Sequence, residues 1–219
     1  MEHIRVKKWN SRNVYLLIPN LIGYIRALLA IVAFYLCFNK PYWFIILYGI
    51  SQLLDSVDGY AARRLNQGSA YGTMLDMILD RACTTALLVI LANFYPTYTR
   101  CFIIIILLDI VSHFAYIYSS LSYGKKSHKF ISKNQYWILK VYYGYKPILF
   151  VLCIGSEVYL LWLYIQYFGR QLAFASYFKY FIHPLFVYLF GGLFVVKQIV
   201  NVVQLLQAIK DIVKLDVND

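Results

Sequence analysis

Apolar residues run along the chain in long blocks separated by short polar breaks. A helix that crosses a bilayer needs about 20 predominantly apolar residues. Six stretches meet that length: Val14 to Cys37, Tyr42 to Arg63, Tyr71 to Tyr95, Cys101 to Leu121, Lys140 to Phe168 and Phe178 to Leu206. The breaks are Asn39 to Pro41, Leu65 to Ser69 (LNQGS), Pro96 to Arg100, Ser122 to Gln135 and Gly169 to Lys179, none long enough for a second domain. The pattern predicts an all-α, polytopic membrane protein: six transmembrane helices in a single domain over residues 1–219. Residues 1–13 mix Ile4, Val6 and Trp9 with basic residues and suit an interfacial segment. Residues 207–219 are expected as a cytosolic tail. The first apolar run continues past 20 residues without a small-residue cleavage site, so it is expected to be retained as a span.

Composition sharpens the class. Apolar residues make up 61% of the chain, against roughly half in soluble domains. The 22 Tyr and 15 Phe suit aromatic anchoring at both membrane interfaces. The formal charge of +11 is carried by residues lying between apolar spans, not by a stripe on a polar domain, so anionic lipid headgroups are the expected partner and no nucleic acid is. Lys and Arg concentrate on the side that holds both termini and the LNQGS turn, which places that side in the cytosol. Cys37, Cys83, Cys101 and Cys153 are widely spaced in apolar runs and form no CxxC pair, which suggests neither a disulfide framework nor a zinc site.

Candidate chemistry lies in Asp55 to Arg81. Four of the ten acidic residues, Asp55, Asp58, Asp76 and Asp80, fall in this stretch between apolar flanks. Carboxylates in such a setting are costly and mark a functional site. Asp55 and Asp58 are spaced i,i+3 and Asp76 and Asp80 i,i+4, so each pair shares a helix face. At about 1.5 Å rise per residue, Asp58 and Asp76 lie roughly 10 to 12 Å from the LNQGS turn on either side. Antiparallel helices would bring all four to one depth. Oxygen ligands without His or Cys suit Mg²⁺ or Mn²⁺ better than zinc. The cations at hand to neutralise the acids are Arg63, Arg64 and Arg81, and mutual repulsion remains without metal. Small residues Gly59, Ala61, Ala62 and Gly72 leave thin helix faces, and Arg63, one turn from Gly59, can reach a phosphate oxygen. Asp80, the last acid in the row, is the candidate general base.

The motif Asp55-x2-Asp58-Gly59-x2-Ala62-Arg63-x8-Gly72-x3-Asp76-x3-Asp80 resembles the signature of the CDP-alcohol phosphotransferases at every defined position. Flanking matches cover nearly the whole chain in order and resemble the eukaryotic, inositol-using branch: PNLIGYIR (Pro19 to Arg26), LNQGS, LDMxxDR ending at Arg81, LDIVSH (Leu108 to His113), SHK (Ser127 to Lys129) and YYxxxP (Tyr142 to Pro147). The resemblance implies the fold of that family, CDP-diacylglycerol as donor, myo-inositol as acceptor, CMP as leaving group, two divalent ions, residence in the endoplasmic reticulum and a homodimer. It implies that Asp55, Asp58, Asp76 and Asp80 ligate metal and that Asn20, Gly59, Arg63 and Ser69 bind the donor head. Lys129, Lys133 and Lys146 are the cations expected to frame the acceptor pocket. The core motif does not distinguish inositol from glycerol phosphate, serine or choline as acceptor. An ion-coupled transporter is the rival from another class, and the chain shows none of the internal repeats such folds carry.

Overall fold

The computed structural model of the chain describes residues 11–122, 135–169, 184 and 186–218. Every regular element among them is helical. Backbone polar groups in hydrocarbon must be satisfied within their own segment, and a helix does this. The helices are α1 (Ser11–Tyr15), α2 (Ile18–Leu36), α3 (Pro41–Arg64), α4 (Ala70–Phe94), α5 (Thr99–Ser122), α6 (Trp137–Gly144), α7 (Lys146–Tyr167) and α8 (Gly191–Asn218). A 3-10 turn (Pro96–Tyr98) precedes α5 and a π turn (Phe186–Phe190) precedes α8. Four stretches are long and apolar enough to cross a membrane: Ile18–Leu36, Pro96–Ser122, Pro147–Tyr167 and Phe186–Val217. The other two long helices, α3 and α4, have 24 and 25 residues and carry the four acids.

Several boundaries differ from the expected ones. Val14 lies in α1, and the long first helix begins at Ile18, with Pro19 in its first turn, where the missing N–H costs no bond. The fifth block is two helices. Extended backbone at Tyr145 (φ −106°, ψ 94°) separates α6 from α7; Pro147 has no N–H to donate to the Tyr143 carbonyl and its ring would clash there, so a helix does not run unbroken across it. Residues 207–218, expected as a tail, continue α8 and bury Ala208 and Asp211. Residues 1–10, Lys129 and Lys133 lie outside the described residues, as does the side chain of Lys146.

The chain divides into two compact units, Met1–Ala86 and Leu87–Asp219. In the first, α2 packs along α3 with a face of Pro19, Asn20, Gly23, Arg26, Ala30 and Ala33, spaced for one side of a helix. Gly23 admits α4 closely: a Cβ there would sit 2.8 Å from Leu75 Cδ2. Farther along, Phe34 packs its ring on Phe44 and Tyr48, with centroids 5.9 and 5.7 Å away. The opposite side of α2 exposes Leu21, Ile25, Leu28, Ile31 and Tyr35, a surface suited to lipid.

In the second unit, α5 and α7 pack on α8. The α8 face carries Lys197, Asn201, Gln204, Gln207 and Asp211, all buried, and α5 contributes buried Asp109, Ser112, Ser119 and Ser120. Asn201 Nδ2 donates to Asp109 Oδ1 at 3.2 Å, Lys197 Nζ to Asn201 Oδ1 at 2.8 Å, and Gln207 Nε2 to Asp211 Oδ1 at 2.9 Å. Helices in lipid associate through such bonds and through small residues, since the surrounding tails are as apolar as Leu. Gly155 of α7 is one such residue: a Cβ there would lie 2.5 Å from Cδ1 and 3.1 Å from Cβ of Leu193 on α8. The Leu193 Cβ cannot rotate away, so Gly155→Val is expected to destabilise the protein by about 1–3 kcal/mol. A lowered thermal midpoint of the detergent-solubilised protein would show this, and an unchanged midpoint would show that α7 can shift at no cost.

Candidate active site

The site begins with the turn between α3 and α4. Leu65 to Ser69 reverses the chain as the polar LNQGS break requires, with Asn66 in the left-handed region at φ 52°, a conformation its short polar side chain tolerates. Ser69 Oγ accepts from Gly72 N at 3.0 Å, the bond by which an N-cap serine satisfies an orphan amide of the first turn. Gln67 Oε1 accepts from Ile18 N at 3.0 Å. The turn is thereby fastened to the opening of α2, whose first amides have no intrahelical partner.

From this turn α3 and α4 carry their acid pairs back to a common depth, where all four carboxylates meet one side chain. Arg26 Nη2 lies 2.6 Å from Asp55 Oδ1 and 3.0 Å from Asp80 Oδ1; Nη1 lies 2.7 Å from Asp58 Oδ2 and 3.0 Å from Asp76 Oδ1. The expectation that Arg63, Arg64 and Arg81 supply the neutralising charge is corrected in part: the guanidinium that bonds all four acids is Arg26, from α2, while Arg81 adds its charge beside Asp80. Its signal in the sequence is its place on the small face of α2, one turn from Gly23, where a basic residue has no reason to sit unless something acidic faces it. Ser51 Oγ of α3 donates to the Arg26 carbonyl at 3.0 Å and fixes the two helices at this level.

The four acids are not equivalent. Asp58 is enclosed, with 11% of its side chain exposed, whereas Asp55, Asp76 and Asp80 are 37%, 40% and 34% exposed. These three each offer an oxygen within 4.8 Å of the others. Oxygen-only donors at this spacing fit a small hard cation, Mg²⁺ or Mn²⁺, after a slight contraction around it.

A cleft of about 220 Å³ adjoins the acids, lined by Asn20, Gly59, Arg63, Gln67, Ser69 and Gly72 and shared with Asp58 and Asp76. All four expected donor-head residues, Asn20, Gly59, Arg63 and Ser69, are in this wall. The Arg63 guanidinium folds over Gly59, where a Cβ would stand 3.4 Å from its Nη1. Asn20 is 1% exposed and donates through Nδ2 to Val14 O at 2.5 Å. Its Oδ1 would be 2.5 Å from a Cβ on Gly72, so only glycine at 72 leaves room for Asn20. Sequence reasoning missed Gln67, whose bond to α2 is visible only once the turn is placed.

Converging acids beside a cleft that carries Arg63, in a helical membrane protein, can hold a divalent ion against a phosphate group. The chain belongs to the CDP-alcohol phosphatidyltransferase family, whose sequence profile it matches over residues 16–178. Within it, the chain is similar to proteins named CDP-diacylglycerol–inositol 3-phosphatidyltransferase. It is 36% identical to that of Candida albicans over 100% of this chain and 91% of the relative. It is 37% identical to that of Schizosaccharomyces pombe (94% and 92%) and 38% identical to that of Homo sapiens (95% and 97%). No solved structure matches it significantly.

If the open carboxylates form the ion site, Asp76→Asn is expected to weaken Mn²⁺ binding about tenfold or more, since a ligand charge is lost. Titration calorimetry on the purified protein measures this, and unchanged affinity would remove Asp76 from the ligand set.

Proposed function

We propose that the chain transfers a phosphatidyl group from CDP-diacylglycerol to myo-inositol, giving phosphatidylinositol and CMP. The observation that carries this reading is the shared wall: Asp58 and Asp76 border both the carboxylate ring and the cleft of Asn20, Arg63 and Ser69, so a phosphate bound in the cleft reaches the ring. Similarity to relatives of that name over nearly the whole chain supports the acceptor.

Asp55, Asp58, Asp76 and Asp80 would hold two divalent ions, Mg²⁺ or Mn²⁺. Such ions, when bound, neutralise charge gathering on the pyrophosphate oxygens. Arg63 and Ser69 bind the phosphates of the donor head, Gly59 lets them approach the helix backbone, and Asn20 lies against the nucleotide. The inositol hydroxyl oxygen bonds to the phosphorus that bears diacylglycerol, and the bond from that phosphorus to the bridging oxygen breaks. CMP leaves with the bridging oxygen and its electron pair, while Asp80 takes the hydroxyl proton. Lys129, Lys133 and Lys146 remain the acceptor-side cations on sequence grounds alone.

α3 and α4 join the four apolar stretches as spans, giving six in one domain 1–219. Both termini and the Leu65 to Ser69 turn face the cytosol, where inositol and divalent ions are available, and the acyl chains stay in the bilayer. Residence in the endoplasmic reticulum and a homodimeric state follow the family.

Purified protein supplied with CDP-diacylglycerol is expected to release CMP when inositol is added and not with glycerol 3-phosphate, serine or choline. Release with one of the latter would select the other acceptor, and metal flux without CMP would select a transporter. Asp80→Asn is expected to lower inositol-dependent CMP release about 100-fold or more while expression is retained; a near wild-type rate would eliminate it as the base. Arg63→Ala is expected to raise the donor KM about tenfold, the value of a charge-assisted hydrogen bond, and an unchanged donor KM would contradict its role.

A further inference from the structure

We infer that Arg26 is a positioning residue that acts as the resident cation of the carboxylate ring: it holds the four acids together when no divalent ion is bound, and it competes with such ions for the same oxygens. The inference rests on the reading of the ring as a divalent-ion site.

Three observations carry it. First, the side chain is 2% exposed, and its two terminal nitrogens reach one oxygen on each acid at 2.6 to 3.0 Å. Three of these acids, Asp55, Asp76 and Asp80, are the ones whose oxygens lie within 4.8 Å of one another, so the guanidinium and an ion held there draw on the same carboxylates. Second, the third nitrogen, Nε, is buried and has no hydrogen-bond partner. Among the described residues Arg26 is thus held by the carboxylates alone, the very groups a divalent ion would claim, and by no neutral acceptor that would keep it in place independently. Third, the charge is uneven: four carboxylates converge on the one guanidinium that bonds them all, with Arg81 adding its charge beside Asp80. Two divalent ions would supply four positive charges and reduce what the guanidinium has to offset. A group whose charge is needed only while the metal is away behaves as a place-holder, and its strength sets how tightly the metal must bind to replace it.

A residue needed only for packing and a competing cation predict opposite changes in metal affinity. Loss of a packing residue lets the ring splay and weakens binding. Loss of a competing charge frees the oxygens and strengthens it, since a unit charge a few ångströms away acts strongly on a divalent ion where water is scarce. The experiment uses the full-length protein in lipid nanodiscs, with free Mn²⁺ followed by its paramagnetic resonance signal and thermal midpoints read in EDTA and in saturating Mn²⁺. Arg26→Gln is expected to bind Mn²⁺ about tenfold tighter than wild type. It should melt below wild type in EDTA and level with it in Mn²⁺. Arg26→Lys, whose compact ammonium cannot span four carboxylates, should give an intermediate affinity. Weaker or unchanged Mn²⁺ binding by Arg26→Gln, or midpoints lowered equally in both conditions, would overturn the inference. Should Arg26→Gln not fold, the Arg26→Lys titration decides: tighter than wild type supports the competition, equal or weaker overturns it. Wild-type protein that binds no Mn²⁺ would instead sink the divalent-ion reading itself.

Discussion

Four carboxylates gathered around one buried guanidinium, at 2.6 to 3.0 Å, set the conditions for the rest of the first unit. Charge in an apolar surrounding is expensive unless it is paired, and removing one partner of a buried ion pair costs about 3–5 kcal/mol. The acids come from α3 and α4, but their counter-ion comes from α2, so three helices must meet closely at one depth. That demand explains the small face of α2. Gly23, Ala30 and Ala33 are buried alongside Arg26, and bulkier residues would hold α2 too far away for its guanidinium to reach all four oxygens. Asp55, Asp76 and Asp80 of the ring stay partly open to solvent, so the cluster could hold a further cation.

The cleft follows from the same closeness. The LNQGS turn is held by a side chain at each end, Gln67 on the Ile18 amide and Ser69 on the Gly72 amide. Between them Asn20 is pressed against Gly72 with no room for a methyl group. A turn fastened to the start of α2 keeps Arg63 and Ser69 at a set distance from Asp58 and Asp76. Positioning of this kind is most of what a protein contributes to phosphoryl-type transfer, where the leaving group is already activated and the barrier lies in charge and alignment.

The second unit solves a different problem. Its helices present apolar residues outward, such as Ile103, Ile104, Leu107, Val195 and Ile199, and lipid offers no hydrophobic reason for them to associate. The buried amides and charges of α8, bonded to Asp109 on α5 and within α8 itself, and the close approach at Gly155 supply the attraction instead. Lys197, Asn201, Gln204, Gln207 and Asp211 form one face of α8, and Asp109 on α5 meets it.

The sequence by itself determined the helical class, the turn at LNQGS and the shared depth of the four acids, which follow from residue type and from helix periodicity and rise, local properties of the chain. The grouping of Asn20, Gly59, Arg63 and Ser69 around one cleft is what the family resemblance of their motifs implies. The break at Tyr145 and the extension of α8 to Asn218 were less legible, since apolar run length does not report whether a helix is continuous or where it ends. Only the tertiary structure decided which cation serves the acids. Arg26 lies 32 positions before Asp58, and its reach depends on the rotation of α2 about its axis and its distance from α3 and α4. No local period encodes that docking, because it is set jointly by the packing of three helices.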